Sequence, residues 1–218
     1  MIQKLDLKKD LKEFYQPSAR TVSLVDVPCF QFAMIDGRIE PGGSPGDSPA
    51  FQQAVEALYG VSYTLKFTSK LRRQDPVDYP VMALEGLWGV RDGKFDINIK
   101  DNWDFTLMIM QPEHITGTMF AQAVEELRRK KGDRPTFAQL RLEPFEEGRC
   151  IQIMHIGPYA TELATVARLE AFANEHGLKM QHRHHEIYLG NPLRAAPEKL
   201  KTVLRHAVRG QKAETGNE

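Results

Sequence analysis

The sequence predicts an α+β protein made of two pseudo-symmetric strand–helix–strand–strand modules, with antiparallel sheet, helices on one face and a concave groove. The order of predicted elements occurs twice along the chain, which is the first indication. The second is a pair of similar strands, FQFAMI at residues 30–35 and IQIMHI at residues 151–156, each with a glutamine between bulky apolar residues. The third is a glutamate near an aromatic residue in a later strand of each half, Glu85 with Trp88 and Glu186 with Tyr188.

The composition is that of a soluble globular protein. The 218 residues carry 29 basic and 29 acidic side chains, so no overall field attracts nucleic acid or an anionic membrane. The basic stretches RRKK (128–131) and PEKLKTVLRHAVR (197–209) lack interleaved aromatics and are interpreted as structural. No apolar run spans a membrane, and the start MIQKLDLKKD is charged where a signal peptide needs an apolar core. We therefore expect a cytoplasmic protein in which Cys29 and Cys150 are buried thiols.

The order of elements also gives the expected domain organisation. Residues 1–20 are an N-terminal extension, with one amphipathic helical segment in the first fifteen residues. A single domain follows at residues 21–210, with one module at about 21–112 and the other at about 113–210. The polar tail at residues 211–218 is expected to be disordered.

The first module begins with a strand within VSLVDVPCFQFAMIDG (22–37). After a loop rich in proline and glycine, Ser48 and Pro49 predict a helix start, because serine caps helices and proline suits the first helical position. The helix is expected to end at Gly60. Three strands with alternating apolar residues are predicted after it: VSYTLKF (61–67), YPVMALEGLWGV (79–90) and DFTLMIMQP (104–112).

The second module is predicted in the same way. A helix in HITGTMFAQAVEELRRKK (114–131) leads to it, and its basic end complements the helix dipole. The remaining predicted elements are a strand in FAQLRLEPF (137–145), a strand in CIQIMHIG (150–157), a helix from about Tyr159 to His176 and a strand in HHEIYLG (184–190).

The last of these strands carries the main candidate for chemistry. Because side chains alternate along a strand, His184, Glu186 and Tyr188 share one face, while Ile187 and Leu189 share the other with His185. The two aliphatic residues suit the core, so we expect Glu186 and Tyr188 to point into the groove. A carboxylate in an aromatic-lined cleft is suited to act as a general base or acid. The pattern alone favours a solvated strand glutamate or a structural hydrogen-bond acceptor.

The histidines near Glu186 raise the possibility of a metal site. His182 and His184, two residues apart, could hold zinc with Glu186 as a third ligand. No cysteine partner or metal-binding helix motif accompanies them, so we predict no metal and no cofactor. His155 is expected either beside Tyr159 in the groove or as a satisfied core histidine.

Aromatic residues and methionines are the candidates for ligand binding. The expected groove residues are Tyr63, Trp88, Trp103, Tyr159 and Tyr188, whose flat faces would hold an aromatic or cationic molecule. Met108 and Met110 alternate along one strand and would give an adaptable floor, unless they pack in the core. Glu85 conflicts with its strand, because residues of the same parity are apolar. It is either buried and paired or turned into the groove by a bulge near Gly86.

Five motifs follow one another between about Ala50 and Arg205: YGVSYTLKF, VMALEGLW, WDFTLMIMQPEHIT, QIMHIGPYATE and HHEIYLGNPLRAAPEKLKTVLR. Together they resemble the GyrI-like small-molecule-binding family in its stand-alone form. The resemblance implies two pseudo-symmetric modules that enclose a groove, and no metal. The sequence departs from the family pattern at Gly89, where stand-alone relatives tend to have another aromatic residue after the tryptophan. One wall of the groove could therefore be opened or reshaped.

The resemblance implies three possible functions for the groove. Relatives include hydrolases that open the cyclopropane of DNA-alkylating natural products, effector domains of multidrug-sensing regulators, and a gyrase inhibitor. By the first analogy, Glu186 would deprotonate water or stabilise positive charge, and Tyr63 or Tyr188 would hydrogen-bond the substrate carbonyl. The alternatives are a drug-sequestering module without catalysis and a protein-interaction surface. No DNA-binding domain is present in the sequence, so autonomous regulation of transcription is not expected.

Overall fold

The computed structural model describes residues 1–90, 103–181, 183–190, 192 and 194–210, so the predicted disorder of residues 211–218 concerns residues outside those described. The strands are β1 (Gln3–Lys4), β2 (Ser23–Arg38), β3 (Val77–Asp78), β4 (Leu84–Val90), β5 (Trp103–Gln111), β6 (Arg141–Ile156), β7 (Leu178–Met180), β8 (His184–Tyr188) and β9 (Lys201–Gly210). The helices are α1 (Leu7–Asp10), α2 (Lys12–Tyr15), α3 (Pro49–Leu71), α4 (Gly117–Lys131), α5 (Pro135–Ala138) and α6 (Glu162–Glu175).

Long strands of the described chain close into an antiparallel ring. Their order is β6, β2, β5, β4, β8 and β9, and β9 pairs again with β6. Strand β6 makes this possible because it pairs with β2 from Arg141 to Gln152 and with β9 from Cys150 to Ile156. The short strand β7 extends the far end of β9. Closure leaves no long unpaired edge in this part of the sheet.

The chain order confirms the predicted fold class. One module is β2, α3, β4 and β5, and the other is β6, α6, β8 and β9. Strands β4 and β8, at the junction of the modules, pair antiparallel with each other. The similar segments FQFAMI and IQIMHI lie in the long first strands of the two modules.

Helices α3 and α6, one from each module, cover the outside of the ring. Helix α3 packs against β2 and β5 with the buried side chains of Ala54, Leu58, Val61 and Leu65. Helix α6 packs in the same way on β6 and β9, where Leu169 and Ala173 meet Ile151, Ile153 and Leu204. Each fully buried aliphatic side chain contributes about 1.5–3 kcal/mol to folding, so these contacts fix the helices firmly on the sheet.

Helix α3 is longer than the sequence predicted. Ser48 caps its start as expected, accepting a hydrogen bond from the Phe51 amide at 3.1 Å. The helix does not end at Gly60, however, and the predicted strand 61–67 is wrong because these residues continue the helix to Leu71. A Cβ on Gly60 would lie 3.0 Å from a methyl group of Leu127, so this glycine permits close packing of α3 on α4.

Two other predictions of elements need correction. The strands expected at 137–145 and 150–157 are one strand, β6, and Phe137 lies before it in the short helix α5. The single N-terminal helical segment is two one-turn helices, α1 and α2. Of the two thiols predicted to be buried, Cys150 is buried but Cys29 is exposed. No helix within the described ranges is long and apolar enough to cross a membrane.

The inside of the ring holds a network of buried charges. The two ring nitrogens of His185 lie 2.9 Å from a carboxylate oxygen of Glu147 and 3.1 Å from one of Glu85. Burial opposes the charged imidazole, but the two carboxylates outweigh it and raise the pKa of His185 to about 9. Arg205 approaches Glu147 at 3.3 Å from the next strand. His185 and Arg205 together outweigh burial and lower the pKa of Glu147 to about 2.

The N-terminal segment closes one end of this interior. The Tyr15 hydroxyl donates a hydrogen bond to Glu85 at 2.6 Å, and the Arg205 guanidinium donates one to the Phe14 carbonyl at 2.6 Å. The Tyr15 side chain is 4% exposed. Phe14 and Tyr15, from the predicted N-terminal extension, therefore belong to the packed fold.

Candidate functional site

A large groove lies on the outer, helix-bearing side of the ring. Its volume is about 1240 Å³, and its floor is formed by strands β4 and β8 between helices α3 and α6. This volume exceeds that of typical small-molecule sites, which span roughly 300–1,000 Å³. Two lysines also line it, Lys8 from the N-terminal segment and Lys201 at the start of β9.

Aromatic rings form the walls of the groove. On one side Trp88 stacks on Phe51 at 5.6 Å and lies 5.1 Å from Trp103, measured between ring centroids. On the other side Tyr159 meets Tyr188 edge to face at 5.8 Å. Helix α3 adds Tyr59 and Tyr63, which stack on each other, and Tyr63 is 48% exposed at the rim. Five predicted groove residues are therefore brought together: Tyr63, Trp88, Trp103, Tyr159 and Tyr188.

Glu186 lies on the groove floor, as alternation along β8 predicts. It stands opposite Gly86 of β4, and its side chain is one of the groove-lining groups although the residue is only 6% exposed. Ile187 points away from the groove and is fully buried, as expected for the alternate position. Ile187 faces the interior of the ring, whereas the helices cover the opposite face of the sheet, which carries the groove.

A chain of hydrogen bonds holds this carboxylate. The Trp88 indole N–H donates to the Tyr188 hydroxyl at 2.8 Å, over the backbone of Gly86. Burial, together with the charge and hydrogen bond of the neighbouring Glu186 carboxylate, raises the pKa of Tyr188 far above its usual value. Tyr188 therefore stays protonated and donates to Glu186. A Cβ on Gly86 would lie 2.9 Å from the indole nitrogen and 3.2 Å from the hydroxyl oxygen, so this arrangement requires glycine.

A second groove carboxylate, Glu162, was not predicted from the sequence. It is the first residue of α6, is 2% exposed and lines the groove. Burial and then the charges of Glu186 and Glu162 raise the pKa of Tyr159 to about 12. The only sequence signal was the position of Glu162 in QIMHIGPYATE, beside the predicted helix start.

His184 joins the two carboxylates into one cluster. Its Nε2 lies 3.1 Å from a Glu186 oxygen, and its Nδ1 lies 2.7 Å from Nε2 of His206 on β9. Burial lowers the pKa of His206 to about 3, so His206 is neutral. One potential ligand atom each from Glu162, His184 and Glu186 lie within 4.8 Å of one another. His182, the other histidine considered for a metal, lies outside the described residues.

Four predicted ligand-binding residues lie away from the groove. Glu85 is 1% exposed inside the ring, paired with Tyr15 and His185, so the buried and paired alternative is correct. Met108 and Met110 occupy the same inner face by alternation, and Met110 borders a small interior cavity beside Glu85. His155 is a satisfied core histidine: its Nδ1 lies 2.9 Å from the Thr165 hydroxyl.

Residue spacing along the strands explains why Glu85 faces away from the groove. Glu85 and Trp88 are three residues apart and face opposite sides of β4, whereas Glu186 and Tyr188 are two apart and share a side. Gly86, not Glu85, is therefore the β4 residue that pairs with Glu186. Gly89 is not among the described residues that line the groove, and a Cβ there would lie 3.7 Å from the Arg183 side chain.

The family follows from the comparison with known proteins. The family model described as the GyrI-like small molecule binding domain matches residues 20–208. The chain belongs to the GyrI-like family. This confirms the resemblance found in the sequence and identifies the groove-bearing domain as one that binds small molecules. No protein among the curated proteins matches the chain.

Solved structures agree with this assignment. A conserved protein from Listeria innocua is 38% identical, with a TM-score of 0.84, and the match covers 94% of this chain and 100% of that one. A protein described as a hydrolase from Listeria innocua is 36% identical, with a TM-score of 0.79 and the same coverage. The EcmrR C-terminal domain, at 8% identity and a TM-score of 0.52 over 87% of this chain and 98% of that one, shares the fold alone.

Proposed function

We propose that this protein is a hydrolase that opens the electrophilic cyclopropane ring of an aromatic small molecule bound in the groove. The observation that carries the proposal is the Glu186 carboxylate, which is shielded from water on the groove floor and hydrogen-bonded by Tyr188. Two similar Listeria innocua proteins, 36% and 38% identical, are described as hydrolases. The cyclopropane as substrate comes from the family resemblance of the sequence motifs.

The proposed reaction adds one water across a ring bond. Glu186 accepts a proton from water while the water oxygen bonds to a ring carbon. The carbon–carbon bond of the cyclopropane breaks, and its electron pair moves into a conjugated carbonyl, whose oxygen becomes a phenolate. The phenolate then takes a proton, which Glu186 can return. The net change is hydrolysis, with the carboxylate restored.

The remaining groove residues have supporting roles in this proposal. Trp88 and Trp103 hold the planar skeleton of the substrate and so keep the ring carbon near the water. Tyr188 positions Glu186, because its hydroxyl donates a hydrogen bond to that carboxylate. Tyr63, exposed at the rim, is the hydroxyl donor proposed for the developing phenolate oxygen.

The test is turnover of a cyclopropane-bearing DNA alkylator in ¹⁸O-labelled water, followed by mass spectrometry. Wild-type protein should give many equivalents of ring-opened product with one labelled oxygen. Glu186→Gln keeps shape but cannot accept the proton, so its turnover should fall by roughly 10²–10⁴. Glu170→Gln, an exposed glutamate on α6, is the matched control and should retain full turnover. Turnover no faster than buffer across several such compounds would exclude the hydrolase.

A second candidate function is sequestration of aromatic or cationic drugs without chemistry. The observation that favours it is the size of the aromatic-walled groove, because each stacked or cation–π contact contributes roughly 0.5–2 kcal/mol. Both tryptophans of the chain line the groove, so their fluorescence reports ligand directly. Saturable quenching with recovery of unchanged ligand supports sequestration. A deep groove suits this better than binding of a protein partner, which needs a broader and flatter surface.

A further inference from the structure

We propose that Glu162, His184 and Glu186 form a binding site for one divalent transition-metal ion of the Zn²⁺ class on the groove floor. The sequence predicted no metal, because no cysteine partner or metal-binding helix motif accompanies the histidines, and Glu162 was not among the ligands considered. The site stands on the geometry of the three side chains and does not depend on the hydrolase proposal.

The ligand atoms have the spacing of a metal site. The three atoms lie within 4.8 Å of one another, and His184 Nε2 is 3.1 Å from Glu186 Oε1. Zinc bonds to nitrogen and oxygen are about 2.0–2.2 Å long, which places neighbouring ligand atoms of a tetrahedral site about 3.3 Å apart. One pair therefore already has nearly this spacing, and small side-chain rotations would bring in the third ligand.

The charges of the cluster also favour a cation. Glu162 is 2%, His184 1% and Glu186 6% exposed, so two carboxylates are buried close together. Buried like charges repel strongly unless a proton or a cation lies between them. A bound dication would offset both carboxylates.

The orientation of His184 also favours a bound ion. Its Nδ1 is held by Nε2 of His206 at 2.7 Å, which turns Nε2 of His184 toward the carboxylates. A ligand histidine almost always has its second nitrogen held by such an outer partner. An imidazole in the set favours zinc and related ions over Mg²⁺ and Ca²⁺, which prefer oxygen ligands alone.

The interior of the ring supplies a contrast of the same composition. Glu85, Glu147 and His185 are also two glutamates and a histidine, but both nitrogens of His185 are taken up by the carboxylates. Arg205 adds a second positive charge there. Together with Arg205, that trio balances its charges without an ion. Three protein ligands also leave a coordination position open to the groove, as in catalytic zinc sites.

The experiment uses tag-free, chelator-treated full-length protein titrated with Zn²⁺ by calorimetry, and with Co²⁺ followed by visible absorption. Wild-type protein should bind one ion per chain, raise its melting temperature with Zn²⁺, and give the intense bands of a four-coordinate Co²⁺ site. Glu162→Gln and His184→Asn should each weaken binding by about 100-fold or more, while the surface control Glu170→Gln should bind as wild type.

Two outcomes would overturn the site. One is the absence of a saturable one-to-one isotherm with wild-type protein, a result that does not depend on how any variant folds. The other is equal affinity in wild type and in a folded Glu162→Gln variant, which would locate the ion elsewhere. Neither measurement uses a substrate, so failure of the metal site and failure of hydrolysis are distinguishable.

Discussion

Glu85 and Glu186 lie on neighbouring strands yet on opposite faces of the same sheet. Glu186 stands opposite Gly86 on the groove floor, and Glu85 stands opposite Ile187 with its side chain inside the ring. Glu85 is held by Tyr15 and His185 away from the groove, whereas Glu186, held by Tyr188 and His184, lines the groove. A shift of one residue along a strand thus separates a structural carboxylate from a candidate reactive one.

The largest expected difference between the two faces is in stability. Glu85→Gln removes a negative charge next to the buried, charged His185, and should lower the free energy of unfolding by about 3 kcal/mol. Ligand binding and turnover of the folded fraction should remain near wild type. Urea denaturation, with activity measured well below the transition, checks both. A stable Glu85→Gln protein that has lost activity would contradict the division between the faces.

Lowering the pH should remove the stabilisation that the charge network inside the ring gives to the fold. The pKa of Glu147 is about 2 in the folded protein against an ordinary value of 4.5, so its ionised form stabilises the fold. This stabilisation is fully present above about pH 4.5 and is lost as pH falls toward about 2, a change on the order of 3 kcal/mol. Urea midpoints across this range measure it. Glu147→Gln should be less stable at neutral pH and show a flatter dependence, and an unchanged slope would contradict the assignment.

A smaller effect is expected at Gly86. Its replacement by alanine pushes a methyl group against the Trp88 indole nitrogen and the Tyr188 hydroxyl, so the hydrogen bond between them should break. We expect a loss of about 1–3 kcal/mol in stability, with altered tryptophan fluorescence. Gly89→Ala is the matched control, because its Cβ has room beside Arg183, and it should change stability by less than about 1 kcal/mol. Equal behaviour of the two variants would show that the glycine opposite Glu186 is dispensable.

The sequence predicted those features that depend on alternation and order. Strand parity placed Glu186 and Tyr188 in the groove, and the repeated order of elements predicted two modules. The same rule, applied to the spacing between Glu85 and Trp88, would have placed Glu85 inside the ring.

Other features depend on contacts between distant parts of the chain. Residues 61–67 alternate like a strand, but Val61 and Leu65 are also four residues apart, and the sheet buries them as one face of a helix. In the sequence, Gly60 is typical of a helix end. Its close packing against Leu127 depends on a distant part of the chain. Glu162 reaches the groove floor because α6 begins beside β8, and no local sequence pattern predicts that position.

The closure of the ring by Phe14 and Tyr15 has a practical consequence for protein engineering. The family match begins at residue 20, so a chain trimmed to the matched residues would lose the hydroxyl that binds Glu85 and the carbonyl that binds Arg205. Water would then reach charges that the intact protein keeps dry. A shortened chain of this kind is a poor starting point for crystallisation or assay, and deletions from the amino terminus should stop before Phe14.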